Sequence, residues 1–417
     1  MTTTILKPET DAQLVDAVRW ALSADEPLEL LGQGTRRGLG RPVRTAHALD
    51  LSGLSGVLAY EPEELVLTAR AGTPMAEITA LLGERAQHLA FEPPDGGTLG
   101  GLIACGLAGP RRIAAGSARD HTLGIAGVSG RGERYKGGGK VVKNVTGYDL
   151  PKLMAGSFGT LTAFTELTVK VLPAPEDTAT LLLFGLDDAA AVGVLDQALR
   201  SPYDVSGAAH LPDGLAARSV VPTVARAGGA VTLVRLEGFG PSVAARVAAL
   251  RADLRADAVL DAAESRAVWR ELRDAACLGG VTAPPSPTPL SPAPDAEGWA
   301  GGNANKLWKL SVPPASGPSV VSAIRHALGP AGAAVEAFYD WGGGLVWLLA
   351  PPESATAIRR AVGTQGHATL IRASQEVRAT VEVFQPLPDP LMALTRRVKS
   401  SFDPMGILNP GRLYPGV

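Results

Sequence analysis

Residues 27–40 read PLELLGQGTRRGLG, an apolar stretch that runs directly into four glycines. Residues 27–31 predict a strand, and the glycine-rich turn behind it can adopt positive φ angles and direct several backbone N–H groups at one anion. A plain glycine turn explains the loop equally well when it is considered alone. The Rossmann pattern G-x-G-x-x-G is absent, because Arg37 holds the third glycine position and residues 39–50 lack the required helix pattern. We therefore expect a phosphate-binding loop outside a Rossmann fold.

The composition excludes several classes of protein. The chain has 417 residues, a length that suggests two or three folded units. Hydrophobic residues make up 46% and charged residues 19%, a balance typical of a globular rather than a disordered protein. The net charge of -2 argues against a nucleic-acid partner. Cys105 and Cys277 are too few for a disulfide framework or an iron–sulfur cluster, so any cluster would belong to a partner. No apolar run approaches the ~20 residues that cross a bilayer, and we expect a cytoplasmic protein without a transmembrane segment.

Further glycine-rich and polar segments follow the first loop. A Walker phosphate loop is excluded because Gly139 and Lys140 are followed by Val141. The segments that follow are Gly96–Gly101, Ala104–Arg112, Gly116–Asp120, Lys140–Leu150, Gly156–Leu161 and Thr165–Leu167. Together they allow a backbone to approach a ligand closely at several points along the chain.

Hydrophobic periodicity predicts mixed α and β structure. In the first part we expect a helix over 10–23 that opens with a Thr10–Gln13 capping box, mainly loops over 93–159, and a linker at 173–177. Further strands are predicted at 46–51, 56–60, 65–71 and 160–172, with a helix from 73 to 83. In the second part we expect helices at 187–200, 241–257 and 262–276 and strands at 229–237, 306–312, 334–339 and 344–350.

In their order and intervals, the glycine-rich segments resemble the PCMH-type FAD-binding domain of the vanillyl-alcohol oxidase superfamily. Nearly the whole chain is similar to the FAD-binding subunits of bacterial glycolate oxidase. The matching stretches are Gly106–Arg112 (GLAGPRR), Lys143–Asp149 (KNVTGYD), Met154–Thr160 (MAGSFGT), Leu307–Val312 (LWKLSV) and Phe402–Pro415 (FDPMGILNPGRLYP). The chain departs from the family at 284–299, which is rich in proline, and at 123–130, which looks shorter than the usual strand.

The resemblance implies an α+β fold with a two-subdomain FAD-binding domain at 1–172. It further implies a second α+β domain with an antiparallel sheet at 177–395, which contains the proline-rich insertion at 284–299. Residues 396–417 are expected to return to the FAD domain.

The resemblance also assigns cofactor-binding residues. Those matched to the FAD pyrophosphate loop are Gly32, Gln33, Gly34, Thr35 and Arg36. Those matched to the second contact region are Gly97, Thr98, Leu99, Gly100, Gly101, Gly106, Gly116, Ser117 and Asp120. Further matches are Lys143, Asn144 and Gly159, then Thr165 and Glu166 at the adenosine end and Asn409 beside the flavin. We expect non-covalent FAD, because Thr35 stands where covalent members carry a histidine and Cys105 lies outside the covalent cysteine motif.

Catalytic residues are not assigned by the sequence. Related subunits that oxidise 2-hydroxy acids carry a histidine cluster, but none of the six histidines here lies within five residues of another, and no metal site is expected. His121, next to Asp120, is a candidate cofactor contact. Two interpretations are open for the cations Arg111, Arg112, Arg119, Lys140 and Lys143. They form a solvated basic face, or they have separate roles, in which one offsets the charge of the pyrophosphate and another lies near the flavin.

The resemblance implies an FAD subunit of a heteromeric glycolate dehydrogenase. The complex would include a second FAD subunit and an iron–sulfur subunit and would oxidise glycolate, a small 2-hydroxy acid, to glyoxylate. This chain would relay electrons through its FAD. The partners would place it peripherally at the inner membrane. One alternative is an independent FAD-dependent oxidoreductase with an interdomain pocket formed partly by Tyr339, Trp341 and Trp347. Another is a flavin-free assembly subunit.

Overall fold

The computed structural model describes residues 3–140, 147–279 and 305–417. The proline-rich insertion predicted at 284–299 and the predicted cofactor contacts Lys143 and Asn144 lie outside the described residues.

The first part of the chain builds two main sheets. Its strands are β1 (Thr4–Leu6), β2 (Leu28–Leu31), β3 (His47–Asp50), β4 (Val57–Glu61), β5 (Val66–Arg70), β6 (Gln87–His88), β7 (Thr122–Ser129), β8 (Arg134–Gly138), β9 (Thr162–Lys170) and β10 (Leu172–Pro173). Its helices are α1 (Asp11–Ala24), α2 (Met75–Gly83), α3 (Leu99–Cys105), α4 (Arg112–Ala115), α5 (Ala118–His121) and α6 (Leu150–Met154). A parallel sheet has the order β1-β3-β2, and an antiparallel sheet has the order β4-β5-β9-β7-β8.

Two apolar clusters hold this part together. The predicted capping box of α1 is confirmed, and the helix packs Leu14 and Val18 with Leu28 of β2 and Val128 of β7. On the other face of the five-stranded sheet, Leu167 packs with residues from α2 and α3. The small parallel sheet is therefore held against one face of the larger one, with β2 positioned to present the loop that follows it.

The prediction that loops dominate residues 93–159 is wrong, because the described residues of this range form four helices and two strands. The expectation of a shortened strand at 123–130 is also wrong, since β7 runs for eight residues. Its glycines explain the misreading. A Cβ on Gly124 would lie 2.9 Å from the Gly139 carbonyl oxygen, and one on Gly127 would lie 2.6 Å from Thr162 Oγ1. Neighbouring segments of the same chain approach β7 too closely for larger side chains at these two positions.

The second part forms one antiparallel sheet in the order β14-β11-β13-β12-β16-β17-β15-β18. Its strands are β11 (Asp177–Phe184), β12 (Val205–Leu211), β13 (Val231–Gly238), β14 (Ala258–Leu260), β15 (Lys306–Ser311), β16 (Glu336–Asp340), β17 (Leu345–Ala350) and β18 (His367–Arg372). Its helices are α7 (Asp188–Leu199), α8 (Asp213–Ala216), α9 (Pro222–Ala225), α10 (Gly240–Leu254), α11 (Ala262–Arg273), α12 (Gly317–Ala327), α13 (Ala355–Val362), α14 (Gln375–Thr380) and α15 (Asp389–Phe402). The predicted antiparallel sheet is confirmed.

Buried charges join the two parts. Arg235 of β13 donates to Glu92 at 2.9 and 3.1 Å, and Arg111 donates to Glu237 of β13 at two distances of 2.9 Å. Burial raises the pKa of Glu237, but the positive charges of Arg235 and Arg111 outweigh this effect and lower the pKa to about 2. These ion pairs fix the first part of the chain against the eight-stranded sheet.

The end of the chain returns to the first part. Beyond α15, Leu408 forms a parallel bridge with Leu28, and the Leu28 N–H donates to the Ile407 carbonyl at 2.7 Å. Lys399 Nζ donates to the Thr160 and Leu408 carbonyls at 2.7 and 2.9 Å. Residues 407–409 thus lie along β2, beside the glycine-rich loop.

Candidate functional site

The glycine-rich loop lies at the end of β2 and forms one wall of an open cleft of about 720 Å³. Gly34 has φ +71°, a conformation that a glycine adopts without strain. The backbone N–H groups of residues 32–36 donate to no acceptor within the described part of the chain. Buried or half-buried N–H groups normally find a partner, so this run of donors indicates a site for an anionic ligand.

Arg36 lies buried at this loop. Its guanidinium donates to the Gly96 carbonyl at 3.0 Å and to Thr35 Oγ1 at 3.3 Å, while its buried Nε has no partner among the described residues. Burial lowers the pKa of Arg36, which nevertheless stays protonated because an arginine ordinarily titrates above 12. Gly97 is required here, since a Cβ at that position would overlap the guanidinium. The loop therefore combines free donors with a fixed positive charge.

A second layer of charge holds the loop from behind. Arg37 donates to Glu29 at 2.9 and 2.6 Å, in a two-pronged ion pair. Arg412, whose pKa burial lowers, donates to the Arg36 and Arg37 carbonyls at 3.1 and 3.2 Å. The C-terminal segment thereby fixes the conformation of a loop more than 370 residues away in sequence.

Asn409 connects three parts of the cleft. Its Oδ1 accepts from the Leu30 N–H at 2.8 Å, and its Nδ2 donates to the Phe158 carbonyl at 2.7 Å. Its backbone has φ +42°. A Cβ at Gly159 would lie 2.7 Å from the Asn409 amide nitrogen, so the small residue lets the amide reach its partners.

The opposite wall is the beginning of α3. Thr98 accepts from the Gly101 N–H at 3.2 Å, and the Gly100 N–H donates to the Ala71 carbonyl at 2.7 Å. A Cβ on Gly100 would lie 2.9 Å from that same oxygen. Cys105 lies at the other end of α3, where burial raises the pKa of its thiol.

The structure brings ten of the predicted cofactor residues together as cleft-lining residues. They are Gly32, Gln33, Gly34, Thr35, Arg36, Thr98, Gly100, Gly101, Gly159 and Asn409. Leu99 is buried beneath the cleft, and Gly97 lies against Arg36. Sequence reasoning missed the lining residues Leu30, Leu31, Arg37, Leu51, Ala71, Ala104, Cys105, Phe158, Thr162, Phe164 and Arg412.

Other predicted residues lie away from this cleft. Ser117 and Asp120 form a capping box for α5, and Gly116 packs against the Asp120 side chain. In β9, the Thr165 carbonyl accepts from the Ala71 N–H, and Glu166 pairs with Arg70 at 3.6 Å. None of these five lines the cleft.

His121 lines neither the cleft nor the neighbouring cavity beside Trp341 and Trp347. The side chain is buried, with Nε2 2.8 Å from the Ala115 carbonyl oxygen and Nδ1 3.2 Å from the Lys170 carbonyl oxygen. Its ring is engaged by the backbone, which corrects the expectation of a cofactor contact.

A second cavity of about 1410 Å³ adjoins the cleft, because Cys105 and Phe158 line both. It lies between the first part of the chain and the eight-stranded sheet, and Gly106 and Ser117 line it as well. Trp341 and Trp347 belong to its wall, as the sequence suggested. Tyr339 does not line it, because its hydroxyl donates to Asp188 at 2.6 Å inside the core.

The predicted cations have separate roles. Arg111 belongs to the buried ion pairs, and Lys140 pairs with Glu61 at 2.9 Å. Arg119 and Arg112 line the second cavity, where the Arg112 guanidinium lies 4.4 Å from the centre of the Trp341 ring. Within the described residues, no three His, Cys, Asp or Glu side chains are placed to hold a metal ion.

The cleft fits FAD on its own features. A run of unsatisfied N–H groups, a buried Arg36 with an unpaired Nε and glycines that leave the backbone open suit a pyrophosphate. The cleft wall shared with the adjoining cavity is formed by Cys105 and Phe158, and this apolar, aromatic surface suits one face of a planar ring system. No helix of the described ranges is long and apolar enough to cross a membrane.

Comparison with known proteins places these features in a family. Residues 2–138 match the FAD binding domain family, and residues 385–413 match the C-terminal domain family of FAD linked oxidases. Solved structures similar in fold include p-cresol methylhydroxylase with substrate bound, with a TM-score of 0.69, 15% identity, and coverage of 99% of this chain and 88% of that one. The 4-ethylphenol oxidase of Gulosibacter chungangensis matches with a TM-score of 0.69, 14% identity, and coverage of 99% and 89%. The fold is therefore that of the PCMH-type flavoproteins.

Curated relatives give the family. Glycolate oxidase subunit GlcD of Bacillus subtilis is 34% identical over 177 residues, covering 41% of this chain and 37% of that protein. Glycolate oxidase subunit GlcE of Escherichia coli K12 is 33% identical over 405 residues, covering 96% of each chain. The chain is thus an FAD-dependent oxidoreductase that belongs to the family of glycolate oxidase subunit GlcE.

Proposed function

We propose that this chain is the FAD-carrying subunit of a heteromeric enzyme that oxidises glycolate to glyoxylate. The observation that carries the proposal is the run of unsatisfied N–H groups at residues 32–36 beside the buried Arg36. In this proposal the loop binds the pyrophosphate, Arg36 offsets its charge, and residues 1–172 act as the FAD-binding domain. The second domain spans 177–395, and residues 396–417 close on the first.

The chain's own residues would bind and orient the cofactor. When bound, FAD would supply the redox chemistry by accepting and releasing electrons. Asn409 and Arg412 hold the loop in its binding conformation, and the apolar residues between the two cavities exclude water.

The cofactor is proposed to be non-covalent. Covalent attachment requires a nucleophilic side chain beside the flavin, and the candidate in the shared wall is Cys105. Burial raises the pKa of its thiol, which keeps it in the unreactive protonated form. Acid precipitation of the yellow protein should leave the colour in the supernatant. Colour retained in the pellet would contradict non-covalent binding.

We further propose that electrons reach this FAD through a partner subunit. The described residues that line the second cavity include no carboxylate, and His367 is the one imidazole among them. General-base catalysis typically contributes about 10²- to 10⁴-fold. The candidate bases of this lining are His367 and Lys309, whose pKa burial lowers to about 8, and neither belongs to a histidine cluster of the kind that related subunits carry, which favours oxidation of glycolate elsewhere in the complex. The similarity to subunit GlcD supports a second FAD subunit as that site. An iron–sulfur subunit is proposed from the resemblance to glycolate oxidase, and it would hold any cluster itself, since the two cysteines of this chain cannot ligate one. The partners would give a peripheral position at the inner membrane.

Anaerobic mixing tests the relay. The isolated yellow subunit is mixed with glycolate, and bleaching of the flavin absorbance is followed with and without the partner flavoprotein. Bleaching should be fast only when the partner is present. Rapid bleaching of the isolated chain would refute the relay and favour an independent oxidoreductase that uses the cavity beside Trp341 and Trp347.

A further inference from the structure

The second cavity has an unbalanced charge. Its lining includes five basic side chains, but neither Asp nor Glu occurs among the described residues that form it. The basic side chains are Arg112, Arg119, Arg273, Lys309 and His367. A cavity lined in this way attracts anions and repels cations.

Of the four Arg and Lys side chains in this lining, two make neither an ion pair nor a hydrogen bond with the described residues. Arg273 pairs with Asp95 and Asp274 at 2.7 and 2.8 Å, and Arg119 Nε donates to the Lys152 carbonyl at 3.1 Å. Arg112 and Lys309, in contrast, make no ion pair or hydrogen bond with any side chain or carbonyl of the described ranges.

Both unpaired cations lie against one indole ring. The Arg112 guanidinium lies 4.4 Å and the Lys309 ammonium 5.0 Å from the centre of the Trp341 ring, and the ammonium lies 5.8 Å from that of Trp347. Lys309 is half-buried, so its cation–π contacts retain a positive charge in a partly desolvated place, whereas Arg112 is exposed. They do not replace a counter-ion, because a ring offers no full negative charge.

Two acids compensate the pair in part, because Asp120 attracts Arg112 and Asp340 attracts Lys309. Asp340 is buried at the end of β16, where its Oδ1 accepts from the Trp341 N–H at 2.7 Å. Burial raises the pKa of Asp340 to about 7, so it is partly protonated at neutral pH. Burial and then Arg112 lower the pKa of Lys309 to about 8, so most of the ammonium remains charged there. The cavity therefore keeps a net positive charge that an anion would neutralise.

We propose that Arg112 and Lys309, with the indole faces of Trp341 and Trp347, form a binding site for a small carboxylate in this chain itself. Arginine offers a planar pair of donors that matches two carboxylate oxygens, and lysine adds a point charge. The apolar rings suit the carbon atoms of such an acid. A phosphate finds a better match at the N–H groups of residues 32–36, which supply more donors.

The position of the site gives it a relation to the cofactor. Cys105 and Phe158 separate it from the cleft and line both spaces, so a bound carboxylate would lie next to the cofactor site. The identity of the acid rests on the proposed function, which makes it a 2-hydroxy acid or its oxidation product. The proposal adds that the subunit binds this acid directly, whether or not it oxidises it.

Calorimetric titration of the purified yellow chain tests the proposal. Glycolate and acetate should bind, whereas ethylene glycol, which lacks the carboxylate, should not. Lys309→Met and Arg112→Gln should each weaken glycolate binding at least tenfold, because each removes a charge-assisted contact. Lys309→Arg should restore most of the affinity, and Lys152→Met, which removes an exposed lysine paired with Asp149, should leave it unchanged.

Four results would overturn the inference. They are a yellow chain that binds no glycolate, equal affinity for ethylene glycol, inorganic phosphate that binds as tightly as glycolate, and an unchanged affinity in both cavity variants. Binding of glycolate only by the FAD-free protein would show that the flavin ring fills the cavity, and it would also refute the site. If Lys309→Met fails to fold, the Arg112→Gln and Lys309→Arg proteins decide the question. Failure of the wild-type chain to retain FAD would instead count against the proposed function, since absorbance reports it separately.

Discussion

Replacement of Asn409 by alanine should release the glycine-rich loop from the C-terminal segment. The Asn409 amide bridges the Leu30 N–H and the Phe158 carbonyl at 2.8 and 2.7 Å, and the side chain is only 5% exposed. Truncation leaves both backbone groups without their partner and removes a lining residue of the cleft. The loop that follows Leu31 loses one of its supports.

The magnitude follows from two terms. A buried polar group left unsatisfied costs about 1–3 kcal/mol, and water from the open cleft would recover part of this, so the two groups together cost about 2–4 kcal/mol. Alanine at φ +42° adds about 1 kcal/mol, which glycine avoids. Asn409→Ala should therefore lose about 3–5 kcal/mol of unfolding free energy, and Asn409→Gly about 1 kcal/mol less.

Urea unfolding followed by tryptophan fluorescence measures these differences, and titration of FAD into the apoprotein measures the affinity. We expect FAD binding to weaken at least tenfold in both variants, because both lose the amide. An alanine variant with wild-type stability and full FAD content would refute the role assigned to Asn409. A glycine variant less stable than the alanine variant would refute the backbone argument.

Three further predictions concern the loop, the buried ion pairs and the second cavity. Gly34→Val and Gly100→Val should each lower FAD occupancy at least tenfold, since the first strains a residue at φ +71° and the second places a Cβ 2.9 Å from a carbonyl oxygen. The control Gly193→Val, where a Cβ meets no atom within 4 Å, should stay yellow, and a yellow protein in all three cases would contradict the cleft assignment. Arg235→Met should lower the unfolding free energy by about 3–5 kcal/mol, because it leaves two buried carboxylates with one partner; unfolding at wild-type urea concentrations would disprove this. Glycolate affinity should fall between pH 6.5 and 9, first as Asp340 ionises near pH 7 and then as Lys309 loses its proton near pH 8, and calorimetry should show only the first fall in Lys309→Arg.

The loop at 32–36 could be predicted from sequence because its signal is local. A strand of apolar residues that ends in closely spaced glycines specifies its own geometry. The partners of that loop had no such signal, since Arg412 contacts it from 376 residues away. Asn409 was found through family resemblance alone, because an asparagine in a tail carries no pattern that points to β2.

Other residues were misplaced because a local role explained them fully. Ser117 and Asp120 form a capping box three residues apart, which requires no ligand. The β12 strand, VSGAAHL, was missed because alanine and glycine are poor strand formers, yet every residue in it is buried. A Cβ on its Gly207 would lie 2.8 Å from the Trp269 ring, so close packing rather than intrinsic preference selects these small residues.

The buried ion pairs between the two parts of the chain have a consequence for how ligands enter. Glu92 and Arg111 come from one part, and Arg235 and Glu237 come from the other. Separation of the two parts would break the Arg235–Glu92 and Arg111–Glu237 ion pairs, which makes opening at this boundary costly. Arg111 would keep Glu92 at 3.6 Å and Arg235 would keep Glu237 at 3.2 Å. We therefore expect small acids to reach the second cavity by movement of side chains such as the exposed Arg112 rather than by separation of the two parts. For the same reason, residues 1–172 produced alone would expose Glu92 and Arg111 to water. We expect the two parts of the full chain to unfold in one cooperative step.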